Sequence, residues 1–163
     1  MSQESTFVVR RPEGEEELQE IAKMMVRFYK FNEEFDPLYA LAGGAEETVL
    51  DLVKKYASEP DSVVLVAVSG GKVVGFVHGE LRRNPLFKTS PLGVIVELYV
   101  NPSYRRRGVA RELVRRVSEE LRKLGASAIA AEVPLMNEIA VEFYRKLGFR
   151  PLTAVYVKEL ERW

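Results

Sequence analysis

Apolar residues in this chain follow two periods, which predict helices and strands in alternation. They recur every three or four positions, as on one face of a helix, at residues 14–31, 46–57, 109–124 and 137–147. Short β-branched runs bounded by turn residues predict strands at 7–9, 63–68, 73–81, 92–100, 127–133 and 155–160. A hairpin signal at Gly70-Gly71 comes early and a strand–helix–strand unit comes late, so the pattern predicts a mixed α/β sheet.

Composition and charge indicate one globular domain, residues 1–163, without a strong net field. Apolar residues make up 47% and charged residues 29%, and 24 Lys and Arg balance 24 Asp and Glu. A balanced charge gives no reason to expect a nucleic acid or an anionic membrane as partner. No apolar run reaches membrane-spanning length, and the first residues lack an apolar signal core, so a cytoplasmic location is expected.

Two residue types that often carry chemistry are scarce in this chain. Cysteine is absent, which excludes disulfides, thiolate metal sites and a covalent cysteine intermediate. Histidine occurs once, as His78, which leaves little for a histidine metal site or a Ser-His-Asp triad. We therefore expect no metal.

The segment LYVNPSYRRRGVA, residues 98–110, carries the strongest local signal. It leads from an apolar strand through an Arg-x-x-Gly-x-Ala turn into a helix. Unpaired N–H groups at a helix start attract anions, and the small residues Gly108 and Ala110 let a phosphate approach the backbone. Three arginines, 105–107, add donors suited to phosphate oxygens. Alone, this pattern also fits an ordinary helix start with solvated arginines, and it is neither a Walker A loop nor a G-x-G-x-x-G fingerprint.

A second motif downstream decides between these interpretations. Residues 137–149 read NEIAVEFYRKLGF. Together with the arginine turn, this motif closely resembles the GNAT superfamily of acyl-CoA-dependent N-acetyltransferases, over the core from about residue 63 onward. The resemblance implies a mostly antiparallel central sheet of six to seven strands with splayed central strands, flanked by about four helices.

The resemblance also implies acetyl-CoA as cosubstrate, with pantetheine pairing along the strand at 98–100 and pyrophosphate on the turn that follows. The positions it assigns to cofactor binding are Leu98, Tyr99, Val100, Arg105, Arg106, Arg107, Gly108, Val109, Ala110, Asn137 and Tyr144. Asn137 also stands where a helix begins, so it is equally a candidate helix cap.

Two residues are candidates for proton transfer. Tyr144 matches the family's tyrosine beside the cofactor sulfur, and a phenol of pKa ~10 can serve a thiol of pKa ~8.5 as proton donor. Glu97 precedes Leu98 within an apolar run, where a carboxylate is costly to bury without purpose, so it is the candidate base for the amine. Strand alternation also allows Glu97 to point outward, and Glu80 and His78 on the neighbouring strand are reserves.

The predicted activity is direct acetyl transfer from acetyl-CoA to a primary amine, on a small molecule or on a protein. A non-catalytic acyl-CoA-binding regulatory module and a transferase of longer acyl groups stay open, as does a homodimer. Residues 32–36 and 82–90 are expected to line the acceptor side. The identity of the amine is not specified by the sequence.

Overall fold

The computed structural model describes residues 6–160, which form one sheet covered by helices on both faces. The strands are β1 (Val8–Arg10), β2 (Ser62–Ser69), β3 (Lys72–Arg82), β4 (Leu92–Val100) and β5 (Ile129–Ala131), in that spatial order. The helices are α1 (Gly14–Glu33), α2 (Ala45–Ser58), α3 (Val109–Lys123) and α4 (Glu138–Lys146). All neighbouring strands pair antiparallel except β4 and β5, which pair parallel.

Two apolar cores hold the helices on the sheet, one on each face. On one face α1 and α2 pack on β2 and β3, through residues such as Ile21, Val53 and Phe76; we call this the α1–α2 core. On the other face α3 and Tyr144 pack on β2, β3 and β4, through residues such as Leu113 and Ile95; we call this the α3 core. The helix–sheet–helix layering that results is the mixed α/β fold predicted from the two periods.

Helix α3 lies unusually close to the sheet because a glycine on β3 makes room for it. A Cβ added at Gly79 would lie 2.9 Å from Leu121 Cδ1 and 3.0 Å from Val117 Cγ2. Real Cβ atoms do not approach neighbours so closely, so any side chain here would push α3 outward.

A partly buried ion pair between Arg10 and Glu17 holds the start of α1 against β1. Arg10 donates from Nη1 and Nη2 to the two carboxylate oxygens of Glu17, at 2.7 and 2.8 Å. Glu17 Oε1 also accepts from the Glu13 N–H at 2.7 Å, at the helix N-terminus. The hydrogen bonds from Arg10 are the main reason that the pKa of Glu17 is lowered below its ordinary value.

We expect Glu17→Gln to lower the free energy of unfolding at pH 7 by about 1–2 kcal/mol, because the bidentate charge-assisted pair is lost. A lowered folded pKa contributes stability above the unfolded pKa of about 4.3, and this contribution is lost as pH falls through the folded value. The difference in the free energy of unfolding between variant and wild type should therefore become smaller below about pH 4. Denaturant titrations at several pH values measure this difference. Glu16→Gln, at an exposed neighbour, is the control, and an equal loss in both variants would contradict the prediction.

The predicted strand count is wrong: the described residues form five strands, not six to seven. Residues 155–160 were expected to close the sheet, but they form no strand and are exposed, with Val155 at 87% and Tyr156 at 94%. The strand expected at 127–133 is limited to β5. Leu124, expected on the buried face of α3, is 40% exposed just beyond the helix. The sequence pattern shows only that a segment is rich in β-branched residues. A strand also needs a neighbouring strand with which its backbone can pair.

A β-bulge in β4 determines which face its side chains reach. Ile95 pairs with Gly79 and Glu97 pairs with His78, so Val96 is an extra residue without a partner on β3. Ile95 packs in the α3 core, whereas Glu97, two residues later, contacts α1 on the opposite face. Without the bulge the two side chains would share a face.

Within residues 6–160 no helix combines the length and the apolar character needed to cross a membrane.

Candidate active site

Strand β4 has an unpaired edge over its second half. Its pairing with β5 runs from Gly93 to Ile95, and the Glu132 N–H still donates to the Ile95 carbonyl at 3.1 Å. Residues 96–100 continue as strand along β3 but have no strand partner on the β5 side among the described residues 6–160. An open edge of this kind can accept an extended ligand as an added strand. It includes the predicted cofactor-pairing positions Leu98, Tyr99 and Val100.

The turn that follows β4 presents a row of backbone N–H groups. Residues 106–111 show no hydrogen bond from their N–H groups within the described chain, and the first bond of α3 is Glu112 N–H to the Gly108 carbonyl. Arg106 and Gly108 both have left-handed backbones, with φ of 62° and 78°. Alternating backbone conformations of this type turn successive N–H groups toward one concavity, which suits an anion.

The side chains of this turn leave its concavity open. No atom lies within 4 Å of a Cβ placed on Gly108, and Arg105, Arg106 and Arg107 are exposed. Arg105 Nε donates to the Val100 carbonyl at 3.2 Å, which fixes the turn to the end of β4. Val109 is buried in the α3 core and Ala110 is half-buried, so the helix start is anchored while its N-terminus remains accessible.

Tyr144 and Asn137 both belong to α4. Tyr144 is buried in the α3 core, edge-on to Phe143 and Phe149 with ring centroids 5.1 and 5.2 Å away. Burial raises the pKa of its phenol, so the hydroxyl keeps its proton at neutral pH. The Asn137 side chain accepts from the Ala140 N–H at 3.1 Å and so caps the helix. Its amide NH₂ is not used by that bond.

Glu97 is buried on the opposite face of the sheet and held by two hydrogen bonds. Tyr29 of α1 donates its hydroxyl to Oε1 at 2.5 Å, and His78 Nδ1 lies 2.6 Å from Oε2. Burial and the nearby Glu97 charge raise the pKa of Tyr29, so its hydroxyl is a donor. The carboxylate itself is 3% exposed.

His78 sits behind Glu97 in a defined orientation. Its ring stacks on Tyr56 of α2, with centroids 4.1 Å apart, and its Nε2 is buried without a partner in the described chain. A proton on Nε2 would leave an N–H donor buried there without an acceptor among the described residues. The geometry therefore fits a neutral imidazole that donates from Nδ1 to Glu97.

A cavity of about 280 Å³ opens beside the Glu97 carboxylate. It lies between α1, residues 41–45 and α2, and its apolar lining includes Met25, Leu41, Val49 and Leu52. Neither of the segments expected on the acceptor side, 32–36 and 82–90, lines this cavity.

Sequence reasoning missed Tyr29 and Tyr56, which complete the Glu97 site. Tyr29 lies four residues after the buried Met25, so the apolar face of α1 was a usable signal. Glu80, the reserve base, instead accepts from Arg82 Nε and Nη2 at 3.0 and 2.8 Å, away from the cavity lining. Within residues 6–160 no three His, Asp or Glu side chains are grouped so that they could hold a metal ion.

Two proteins of named activity are similar to this chain in sequence. N-acetyltransferase 8 of Homo sapiens is 33% identical over 100 residues, which are 61% of this chain and 44% of that protein. An aminoglycoside N(6')-acetyltransferase type 1 of Acinetobacter haemolyticus is 30% identical over 101 residues, 61% of this chain and 66% of that protein. The chain thus spans about half to two thirds of the length of these relatives.

The fold and a family match extend the likeness over most of the chain. A structure of the aminoglycoside acetyltransferase AAC(6')-Iy, in complex with a bisubstrate analogue of CoA and acetylneamine, matches with a TM-score of 0.78 at 19% identity, over 97% of this chain and all of that one. Residues 19–149 match the acetyltransferase (GNAT) family. The resemblance predicted from the two motifs is confirmed: the chain belongs to the acetyltransferase (GNAT) family.

Proposed function

We propose that this protein is an acetyl-CoA-dependent N-acetyltransferase that moves an acetyl group directly to a primary amine. One observation carries the proposal: Glu97, on the second half of β4 beyond its pairing with β5, is buried on one face of the sheet, and the Tyr144 phenol is buried in the α3 core on the other face. A base and an acid on opposite sides of an open strand edge are what transfer between two ligands requires. The residue roles follow from this placement and from family membership.

The chain's own features fit the cofactor. The edge at Leu98 and Val100 would receive the pantetheine arm as an added strand, and the free N–H groups of residues 106–111 would receive the pyrophosphate, assisted by the arginines 105–107. Asn137 contributes its free amide NH₂ near the start of α4. When bound, acetyl-CoA supplies an activated acyl group as a thioester.

Glu97 is arranged to take a proton from the acceptor. Each carboxylate oxygen accepts one hydrogen bond, from Tyr29 or His78, and retains a second lone pair. A primary amine of pKa ~10.4 is neutral in about one molecule in 10³ at pH 7, so a base beside the cavity increases the reactive fraction. His78 acts as a positioning residue, because its Nδ1–H orients the carboxylate without reaching the cavity lining.

Tyr144 is arranged to give a proton. Its raised pKa keeps the hydroxyl protonated until negative charge develops beside it on the cofactor sulfur. Its ring is held by Phe143 and Phe149, so the hydroxyl has a fixed direction. In this scheme the amine nitrogen bonds to the acetyl carbon and the carbon–sulfur bond breaks, while Glu97 takes a proton from the amine and Tyr144 gives a different proton to the leaving thiolate. Both residues regain their starting protonation by exchange with water.

The proposal is tested first by acetyl-CoA itself. At about 100 times its dissociation constant a ligand stabilises the folded state by about 2.7 kcal/mol, which for a chain of this size raises Tm by roughly 5–10 °C. Acetyl-CoA should be consumed when pooled primary amines are added. Gly108→Glu should weaken binding roughly 10- to 100-fold, because its charge would face the pyrophosphate. Calorimetry with acetyl-CoA measures this loss.

Gly44 offers a matched control for that variant. It caps α2 with the same backbone angles as Gly108, φ 78° and ψ 6°, and it too has nothing within 4 Å of an added Cβ. Gly44→Glu therefore carries the same left-handed strain and the same charge at a helix start, away from the turn. Equal loss of affinity in both variants, or binding without any acetyl-CoA consumption, would contradict the proposal; the second result would indicate a non-catalytic binding module.

A further inference from the structure

The cavity beside Glu97 has a lining that selects among amines. Its walls come from α1, residues 41–45 and α2, and Glu97 is the sole charged residue among them. The polar atoms besides that carboxylate are the hydroxyls of Tyr29, Tyr56 and Thr48, and the backbone. One carboxylate in a largely apolar cleft, open to solvent along residues 42, 43 and 48, suits a ligand with one amine and an apolar body.

The size of the cavity limits that body. Its volume is about 280 Å³, whereas an engineered apolar cavity of about 150 Å³ holds benzene. A ring with a short alkylamine arm, or a linear or branched alkylamine, therefore fits. A multi-ring amino sugar is larger than this space.

The charge of the cavity limits the ligand as well. Glu97 already accepts hydrogen bonds from Tyr29 and His78, so it can serve a single ammonium or amine group. A second ammonium carried into the apolar part of the cavity would lie against Met25, Val49 or Leu52, which offer no counter-charge. A buried charge without a partner is strongly unfavourable.

We propose that the acceptor is a primary amine on a compact apolar body with no second positive charge, bound in the cavity between α1, residues 41–45 and α2. This inference rests on the proposed acetyltransferase function. It separates this chain from the relatives named for aminoglycosides, because such acceptors are polyamines. The segment 32–36, which was expected on the acceptor side, does not line the cavity.

The first test is a matched pair of substrates. Hexylamine and 1,6-diaminohexane have the same carbon chain and differ by one terminal ammonium. We expect kcat/KM for hexylamine and for 2-phenylethylamine to exceed that for the diamine by at least about tenfold, and kanamycin to be a poorer acceptor still. Equal or better use of the diamine or kanamycin would overturn the inference. So would acetyl-CoA binding with no acetylation of either monoamine.

Two variants locate the preference in the cavity. Ala42→Trp, on the lining, should raise KM for 2-phenylethylamine, whereas Ala40→Trp, exposed in the same connection but outside the lining, should not. Leu52→Glu adds a second carboxylate at a half-buried position of the lining. It should reduce the difference in kcat/KM between hexylamine and 1,6-diaminohexane. If KM for 2-phenylethylamine is unchanged in Ala42→Trp, the acceptor does not bind in this cavity.

Calorimetry with acetyl-CoA on each preparation separates the two levels of the proposal. Failure to bind acetyl-CoA in the wild type refutes the proposed function. Normal acetyl-CoA binding with a reversed amine preference refutes the acceptor class alone.

Discussion

Tyr144→Phe should lower kcat by about 10²–10⁴-fold, since it removes the proposed proton donor and nothing else. The ring remains, so its edge-on contacts with Phe143 and Phe149 persist and the α3 core stays packed. Burial raises the pKa of this hydroxyl with no hydrogen bond to a described residue contributing, so its removal leaves no orphaned group among them. The free energy of unfolding should change little. The affinity for acetyl-CoA should change by about tenfold or less, because the loss belongs to the transition state.

A second phenol near the cofactor turn provides the control. Tyr104 lies under the Arg107 guanidinium, 5.2 Å from its ring centroid, and has no proposed role in proton transfer. Tyr104→Phe should leave kcat within about threefold of wild type. If Tyr144→Phe does the same while chemistry limits the rate, Tyr144 is a core aromatic and the sulfur takes its proton from water.

Glu97→Gln is expected to have the other large effect, a fall in kcat/KM of about 10²–10⁴-fold at neutral pH. The amide keeps the shape of the carboxylate: its oxygen can accept from His78 Nδ1–H, and its NH₂ can donate to the hydroxyl oxygen of Tyr29. Folding should therefore survive. Without a base the enzyme depends on amine that is already neutral, so its rate should rise about tenfold per pH unit up to the amine pKa. The pH profile of kcat/KM measures this rise.

The reserve base gives the matched comparison for this variant. Glu80 is committed to Arg82 at the surface, so Glu80→Gln should leave both the rate and its pH dependence near those of wild type. His78→Gln should lower kcat less than Glu97→Gln and should shift the pH profile, as expected of a positioning residue. A large fall in kcat/KM in Glu80→Gln, with only a small fall in Glu97→Gln, would identify Glu80 as the base and contradict the role proposed for Glu97.

The elements around the cofactor turn were predictable because their signals are local. Strand β4 has the bounds expected, 92–100, and α3 begins at Val109 as expected from the Gly108 turn. A left-handed glycine followed by an amphipathic run specifies a helix start without reference to the rest of the chain. The first of the two motifs that identified the family, the arginine turn, lies in this region.

The Glu97 site was predictable only in part, because it depends on contacts between distant segments. Glu97 was recognised as a carboxylate in an apolar run, but Tyr29 lies 68 residues away in sequence and Tyr56 belongs to another helix. The face to which Glu97 points depends on the bulge at Val96, which strand alternation cannot reveal. The prediction of a strand at 155–160 was also wrong because strand formation depends on distant segments. These residues have strand propensity, but they have no partner strand among the described residues.

The bulge at Val96 has a consequence for comparing this protein with its relatives. Because one extra residue reverses the facing of the strand, the position of a carboxylate in an alignment does not by itself say which ligand it meets. A relative in which the same number of residues ran as a regular strand, without the bulge, would need its acidic side chain one place earlier or later to reach the same cavity, and an alignment would score that as a loss. Conversely, deleting Val96 here would remove the bulge and still leave Glu97 opposite His78, because Glu97 would then follow Ile95 directly and point to the other face, toward α1.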